Sequence, residues 1–322
     1  MEPVVSFIIP VFNGAPWVER SLSSLRRQIY PDFEAIVVDD GSQDSSLPRC
    51  EAFAQMDQRF SVYSIAHSGL SAARNFGLTK IRGAYVGFLD IDDWLEEDFT
   101  LLLLRAMQSH DADIASCVSV PAQDPRQDTG APRRVAPARR YDPGEYLALE
   151  YREPTVNVRM GNRLYARHLF DQVTFPDGML YEDVITNYRL CRQCRTAVHL
   201  SAPLHNYFVG NGSITRSPLQ QKDFDLPRQW DQVYQMAKTD FPGLAPVVQA
   251  MQATALRALA DKYLRYGGDA HAAKTLVQAF RESLPQSMRS GEIPTGKKLR
   301  MLAGGISLSA YRAATKLIRR DS

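Results

Sequence analysis

Residues 85–94 read Tyr85-Val-Gly-Phe-Leu-Asp-Ile-Asp-Asp-Trp94. An apolar, strand-favouring run, Tyr85–Leu89, ends abruptly in carboxylates. Charged groups are costly to bury, so such an ending belongs where water or a ligand meets the strand. Period-two alternation places Asp90 and Asp92 on one side while the strand persists. Two like carboxylates held together repel and favour a cation. Hard oxygen donors suit Mg²⁺ or Mn²⁺, either of which also binds a diphosphate. Alternatively, Asp92 or Asp93 caps the next helix, and Glu96, Glu97 and Asp98 complement its dipole. That alternative leaves Asp90 without a role.

Similar apolar runs flank this one: Val4–Phe12, Phe33–Val38, Phe60–Ile65 and Ile114–Val120. Helical stretches separate them at about 16–28, 45–56, 71–80 and 95–110. The alternation predicts βαβ units and a parallel sheet, with ligands at the carboxyl ends of its strands. The first strand ends in Pro10-Val-Phe-Asn-Gly14. No G-x-G-x-x-G follows it, which argues against a nicotinamide dehydrogenase. The second ends in Asp39-Asp40-Gly41-Ser42. A carboxylate there either caps the following helix or accepts the N–H of a base or a ribose hydroxyl. Gly69-Leu-Ser-Ala-Ala-Arg74-Asn75 opens the third helix. Helix-start N–H groups and an arginine both favour phosphate oxygens, and Arg74 equally suits an ion pair with an aspartate. Gly178-Met-Leu-Tyr181-Glu182-Asp183 enters a helical run, Val184–Cys194. One of its carboxylates is either an ordinary N-terminal helical acid or a general base.

The chain has 322 residues, 44% hydrophobic and 23% charged, which fits about two folded domains and excludes disorder as the whole answer. No run approaches a membrane span, and Val4–Phe12 reads as a buried strand rather than a signal peptide. Residues 1–120 carry 9 Lys/Arg and 17 Asp/Glu, while residues 216–322 carry 17 and 9. The acidic first part argues against nucleic acid as a partner; the basic last part suits phosphate, an anionic polymer or anionic lipid. Cys50, Cys117, Cys191 and Cys194 read as reduced, partly buried thiols. The single CxxC pair lacks the further ligands a zinc site needs.

Residues 121–143, with five prolines and five arginines, read as a loop. Thr196–Leu200 and Leu204–Val209 are strand-like. From residue 216 the composition predicts only helices. Lys297–Arg320 holds seven Lys/Arg and no acid, and Leu302, Ile306, Ala310, Ala313 and Leu317 follow a helical spacing interrupted near Gly304-Gly305. This reads as an amphipathic helix that lies on an anionic membrane or packs on protein.

These motifs resemble family 2 glycosyltransferases of the bacterial cell-surface polysaccharide and wall-polymer branch. Phe7-Ile-Ile-Pro-Val-Phe-Asn13, Val38-Asp-Asp-Gly-Ser42, Gly69–Gly77 and Phe88–Trp94 carry the resemblance, with Asn162-Arg-Leu-Tyr165, Tyr181-Glu-Asp183 and Ser213-Ile-Thr215. It extends over about residues 4–215. It implies an α/β GT-A fold, a Rossmann-like, mixed but mostly parallel sheet between helices, followed by a C-terminal all-helical region. The implied division is a nucleotide-sugar half (1–120), an acceptor half (121–215) and a helical region (216–322).

The resemblance further implies that Pro10, Phe12 and Asp40 line a uridine pocket, with Asn13 beside them. Phe12 stands where the family usually has Tyr. Arg74 approaches the donor diphosphate, Asp90 the ribose, and Asp92 the metal, a role Asp93 could share. Asp183 is the catalytic base, with Glu182 adjacent. His205 and Ser213 close the site near the phosphates, although a lone histidine such as His205 is more often structural. Arg163 replaces a frequent Lys. The implied reaction is an inverting transfer from a UDP-sugar, with Mn²⁺ or Mg²⁺, to a glycan, polymer or lipid-linked acceptor. The expected location is the cytoplasm or the inner membrane face, with peripheral contact through 297–320, and homo-oligomers are compatible. The competing reading is a non-catalytic polymer- or membrane-binding protein that keeps the fold.

Overall fold

The computed structural model describes residues 4–122, 137–210 and 217–318, which form two compact units. The first contains Met1–Gly178 and Thr186–Val209; the second contains Met179–Ile185 and Gly210–Ser322.

The first unit is built on one sheet. Its strands are β1 (Val5–Val11), β2 (Phe33–Asp39), β3 (Phe60–Ser64), β4 (Tyr85–Phe88), β5 (Trp94–Leu95), β6 (Ile114–Ala122), β7 (Ala138–Tyr141), β8 (Arg163–Ala166) and β9 (Ala197–Phe208). The spatial order is β3-β2-β1-β4-β8-β6-β9-β5, with β7 also paired to β9. β3, β2, β1 and β4 run parallel; β8 is antiparallel to both β4 and β6, and β6 and β9 are again parallel. All residues of β1 and β2 are buried, as expected for strands covered on both faces. Pro10 is tolerated in this central strand because pairing with β4 stops at Ile8–Phe88, so only β2 remains beside it. The crossover helices are α1 (Val18–Arg26), α2 (Ser46–Met56), α3 (Leu70–Leu78) and α4 (Phe99–His110). α3 packs on β1 and β2, and α4 on β6 and β9. Phe7, Phe33, Leu22, Phe99 and Leu103 join one core. Helix α5 (Pro143–Arg152) follows, N-capped by Asp142, and α6 (Asp183–Gln193) precedes β9. All four cysteines are buried free thiols.

The second unit holds α7 (Asp225–Asp240), α8 (Ala245–Tyr266), α9 (Ala270–Arg289), α10 (Thr295–Ile306) and α11 (Leu308–Ile318). Leu256, Leu259, Leu276, Phe280, Met301 and Tyr311 form its core. No helix of the described residues is long and apolar enough to cross a membrane.

Four local expectations need correction. The helix expected from residue 95 begins at Phe99, because Trp94 and Leu95 are drawn into pairing with Asn206 and His205 of β9. Neither Asp92 nor Asp93 caps it; Asp98 occupies that place. The two strand-like pieces near 196–209 are one strand, with register shifts opposite Cys117–Ser119 absorbing the irregular residues around Pro203. The loop expected over 121–143 contains β7 and the start of α5; residues 123–136 lie outside the described ones. Finally, 297–318 is two helices broken at Ser307, so Leu302 and Ile306 do not share a helix with Ala310, Ala313 and Leu317. Gly304-Gly305 does not interrupt α10. A Cβ on Gly304 would lie 2.8 Å from the Phe280 ring, so the glycines allow α10 to approach α9 closely.

Candidate active site

The carboxyl ends of β1, β2 and β4 adjoin, because these strands are neighbours in the sheet. The acidic motifs therefore meet at one edge, as the crossover topology requires. Phe12, just beyond β1, is 44% exposed and stacks on His67, with ring centroids 4.2 Å apart. His67 Nδ1 lies 2.8 Å from Asp40 Oδ2. Asp40 is buried. Its Oδ1 accepts the Ser68 N–H at 2.7 Å and its Oδ2 the Gly69 N–H at 2.9 Å. Its carboxylate thus organises the loop that enters α3. Gly69 takes φ +96° there, a backbone state that favours glycine.

Asp39 differs. Its Oδ2 accepts the Ser42 N–H at 3.2 Å, but its buried Oδ1 has no hydrogen-bond partner. An orphaned carboxylate oxygen is costly, and among the described residues this one is left without a donor. Asn13 bridges the ends of β1 and β2: its N–H donates to Ser42 Oγ at 3.0 Å and its Oδ1 accepts the Gln43 N–H at 2.8 Å. Its φ of +48° is the left-handed state that asparagine tolerates. Pro10 is buried within β1.

At the end of β4 the three aspartates separate into three roles. Asp90 Oδ1 accepts from the buried Arg74 at 2.9 Å, and Arg74 is flanked by the rings of Phe175 and Phe88. The ion-pair alternative for Arg74 is therefore what the fold displays. Asp93 is 5% exposed; its Oδ1 accepts the Phe208 N–H at 2.8 Å and its Oδ2 lies 3.2 Å from His205 Nε2. His205 is fully buried; its Nδ1 meets Ser119 Oγ at 2.6 Å, while its Nε2 has only the Asp93 carboxylate nearby and makes no hydrogen bond among the described residues. Asp92 is half-buried, and no other side chain donates a hydrogen bond to its carboxylate among the described residues. Burial, with Asp93 and Asp90 beside it, pushes the Asp92 carboxyl up to about 7.

A divalent ion fits this donor set: a carboxylate without a bonded counter-charge, crowded by two others. Among the described residues no three His, Cys, Asp or Glu side chains converge as a metal cluster would. An ion here would thus have Asp92 as its protein carboxylate and need the remaining oxygens from phosphate and water, a pattern Mg²⁺ commonly adopts. Arg20 adds a cation that local sequence reading missed. It lies over the rings of Trp94 and Phe208, at 4.4 and 4.8 Å, and donates to the Asp92 carbonyl. Arg20 comes from α1, so no spacing within 85–94 could have announced it. The signals for Asp39 and His67 were present in sequence, but only packing shows which oxygens are already used.

Arg163 is fully buried on β8. It pairs with Glu150, donates to Asn187 and to the Asn157 carbonyl, and reaches Asn162 Oδ1 at 3.1 Å. The structure makes it a core residue with its donors engaged. Glu182 and Asp183 belong to the helical unit, where Asp183 opens α6. Their turn is tied down there. Gln229 donates to the Leu180 carbonyl at 2.6 Å and accepts the Ile185 N–H at 3.3 Å. Tyr181, at φ +61°, donates to Asp223 at 2.9 Å, and Lys262 pairs with Asp223 at 2.6 Å. Ser213 lies outside the described residues.

The family described as Glycosyl transferase family 2 matches residues 6–174. The glycosyltransferase GlyA of Streptococcus pneumoniae is 30% identical over 222 residues, which is 67% of this chain and 32% of GlyA; the chain therefore spans about a third of that relative. Among solved structures, S. aureus TarS 1–349 in complex with UDP-GlcNAc aligns with a TM-score of 0.70 at 16% identity, covering 99% of this chain and 92% of that one. The mannosyltransferase PcManGT from Pyrobaculum calidifontis, in complex with GDP-Man and Mn²⁺, aligns with a TM-score of 0.52 at 18% identity, covering 98% and 83%. These likenesses show the fold, and the family match rests on more than half of the residues. With acidic strand ends on a mostly parallel sheet and a family match over residues 6–174, the chain belongs to glycosyl transferase family 2.

Proposed function

We propose that this protein is an inverting, metal-dependent glycosyltransferase that moves a sugar from a UDP-sugar to a hydroxyl of a cell-surface glycan or polymer. The observation that carries this reading is the division of labour at the sheet edge. Asp40 and Asp93 are consumed by the fold, while Asp39 Oδ1 and the Asp92 carboxylate are not. Family membership supports sugar transfer, and the UDP-GlcNAc named for TarS supports a uridine donor.

In this reading the exposed face of Phe12 stacks on the base, and the paired carboxylates of Asp39 and Asp40 at the end of β2 form the acidic side of the base pocket. Asp92 holds a Mn²⁺ or Mg²⁺ ion, which when bound supplies charge neutralisation for the departing diphosphate. Arg20 provides a second cation beside Asp92 and Asp93. Asp90, half-exposed and oriented by Arg74, faces the donor sugar or ribose. Asp183 takes the proton of the acceptor hydroxyl as its oxygen attacks the anomeric carbon, which inverts that centre in a single displacement. Arg163, His205 and Asp93 act as supports for the site.

Incubation with a panel of UDP-sugars and Mn²⁺, read as UDP release with and without polymer acceptors, tests the activity. Asp183→Asn should keep nucleotide binding and lose about 10²-fold or more in transfer, the scale of general-base contributions. Transfer at the wild-type rate by that variant removes Asp183 from the role, and no acceptor-dependent UDP release with any donor removes the function.

A further inference from the structure

The helical unit carries an apolar and basic surface to which no residue of the proposed donor site belongs. On α10, Leu299 is 52% exposed, Leu302 38% and Ile306 71%. Their spacing of three and four residues puts them on one helix face. Leu317 on α11 is 63% exposed. Around them, 295–318 carries Lys297, Lys298, Arg300, Arg312 and Lys316 and no acid, and Arg319 and Arg320 follow in sequence. Large apolar side chains in open water normally signal a surface that is covered in use.

At the α10–α11 junction Ile306 also lines a groove of about 640 Å³. Tyr263, Leu264 and Val277 give it apolar walls, and Lys274, Arg281 and Arg312 give it three cations. Among the described residues no carboxylate lines it. Glu282, the acid next along α9, accepts a hydrogen bond from Gln278. Arg281 is partly engaged through the Gly305 carbonyl, whereas Lys274 and Arg312 are exposed. A second copy of this face is a poor cover, since a twofold contact would oppose like charges. An anionic bilayer matches both features at once: acyl chains for the leucines, phosphate for the cations.

We propose that the α10–α11 face docks this protein on an anionic phospholipid surface, with Leu299, Leu302 and Ile306 entering the interface and the Lys274/Arg281/Arg312 groove receiving lipid phosphate. The surface is independent of the donor site. It would place the enzyme where lipid-linked or nascent polymer acceptors are handled.

The test is co-sedimentation of the full chain with vesicles of phosphatidylcholine alone or with added phosphatidylglycerol. Binding is expected only with phosphatidylglycerol and is expected to fall with salt. Each cation at such a surface contributes a factor of about five, so Lys274→Gln/Arg312→Gln/Lys316→Gln should weaken binding roughly 100-fold. Leu299→Ser/Leu302→Ser/Ile306→Ser should abolish tight binding while charge is unchanged. All six positions are exposed, so both variants should keep the wild-type melting temperature and UDP response. Equal binding to neutral vesicles, no binding at low salt, or wild-type binding by the charge variant overturns the proposal. Self-association that needs Ile306, without vesicle binding, overturns it in favour of a second copy.

Discussion

Asp92 and Asp93 are adjacent, yet the structure predicts opposite responses to their removal. Asp93 accepts the Phe208 N–H and sits 3.2 Å from His205 Nε2, in a nearly solvent-free position. Asp93→Ala leaves both groups without that partner. Loss of a charge-assisted hydrogen bond costs about 1.5–3 kcal/mol. In a unit of some 200 residues each kcal/mol moves the melting temperature by about 2–4 °C, so a fall of about 3–12 °C is expected. Asp92 has no such bonds to lose, and Asp92→Asn should melt no lower than wild type. With UDP and Mn²⁺ at 100-fold over the dissociation constant, the wild type gains about 2.7 kcal/mol. That corresponds to a rise of about 5–11 °C. Asp93→Ala should retain most of this increment from its lower starting point, and Asp92→Asn should lose it. Differential scanning fluorimetry with UDP, Mn²⁺ and both together reads all of these quantities. The reasoning fails if Asp92→Asn keeps the metal-dependent increment while Asp93→Ala loses it at an unchanged melting temperature.

Three further outcomes follow from buried groups elsewhere. Lys262→Met strands the Asp223 carboxylate, and breaking a buried pair this way costs about 3–5 kcal/mol, measurable by urea unfolding. Because Asp223 also anchors Tyr181, turnover should fall along with it, while the UDP–Mn²⁺ increment remains. His199 is buried against Ser116, and burial, helped by Arg163, lowers its pKa to about 4. The unfolded chain therefore takes up a proton near pH 6.5 that the folded chain refuses. This group's share of stability is intact above pH 6.5 and declines by up to about 3 kcal/mol as pH falls to 4; His199→Gln should flatten that part of the pH–stability curve. Gly304→Ala gains about 1 kcal/mol of helix propensity but drives a methyl into the buried Phe280 ring, which costs about 1–3 kcal/mol. The net change should be a small destabilisation, and a clear gain in melting temperature would contradict the close packing of α10 on α9.

The sequence by itself determined the parallel part of the first unit, whereas β5, β7 and the antiparallel β8 were not read from it. Runs such as Val5–Val11 and Phe33–Asp39 bury both faces, and that demand is local, so strand positions and the parallel alternation were legible within a residue or two. It also determined that acids would gather at the strand ends, because topology alone brings the ends of β1, β2 and β4 together. What it could not assign was occupancy. Whether a carboxylate is free depends on donors distant in the chain: Phe208 and His205 engage Asp93, Ser68 and Gly69 engage Asp40, and among the described residues nothing engages Asp39 Oδ1. Arg163 and Arg74 looked like ligand-binding cations, and only packing revealed their acidic partners, Glu150 and Asp90. The turn before Asp183 read as part of the sheet domain, yet Gln229, Asp223 and Asp225 claim Leu180, Tyr181 and Ile185 for the helical unit. Burial periodicity is written in neighbouring residues, whereas hydrogen-bond satisfaction is settled among residues that only the tertiary fold brings into reach.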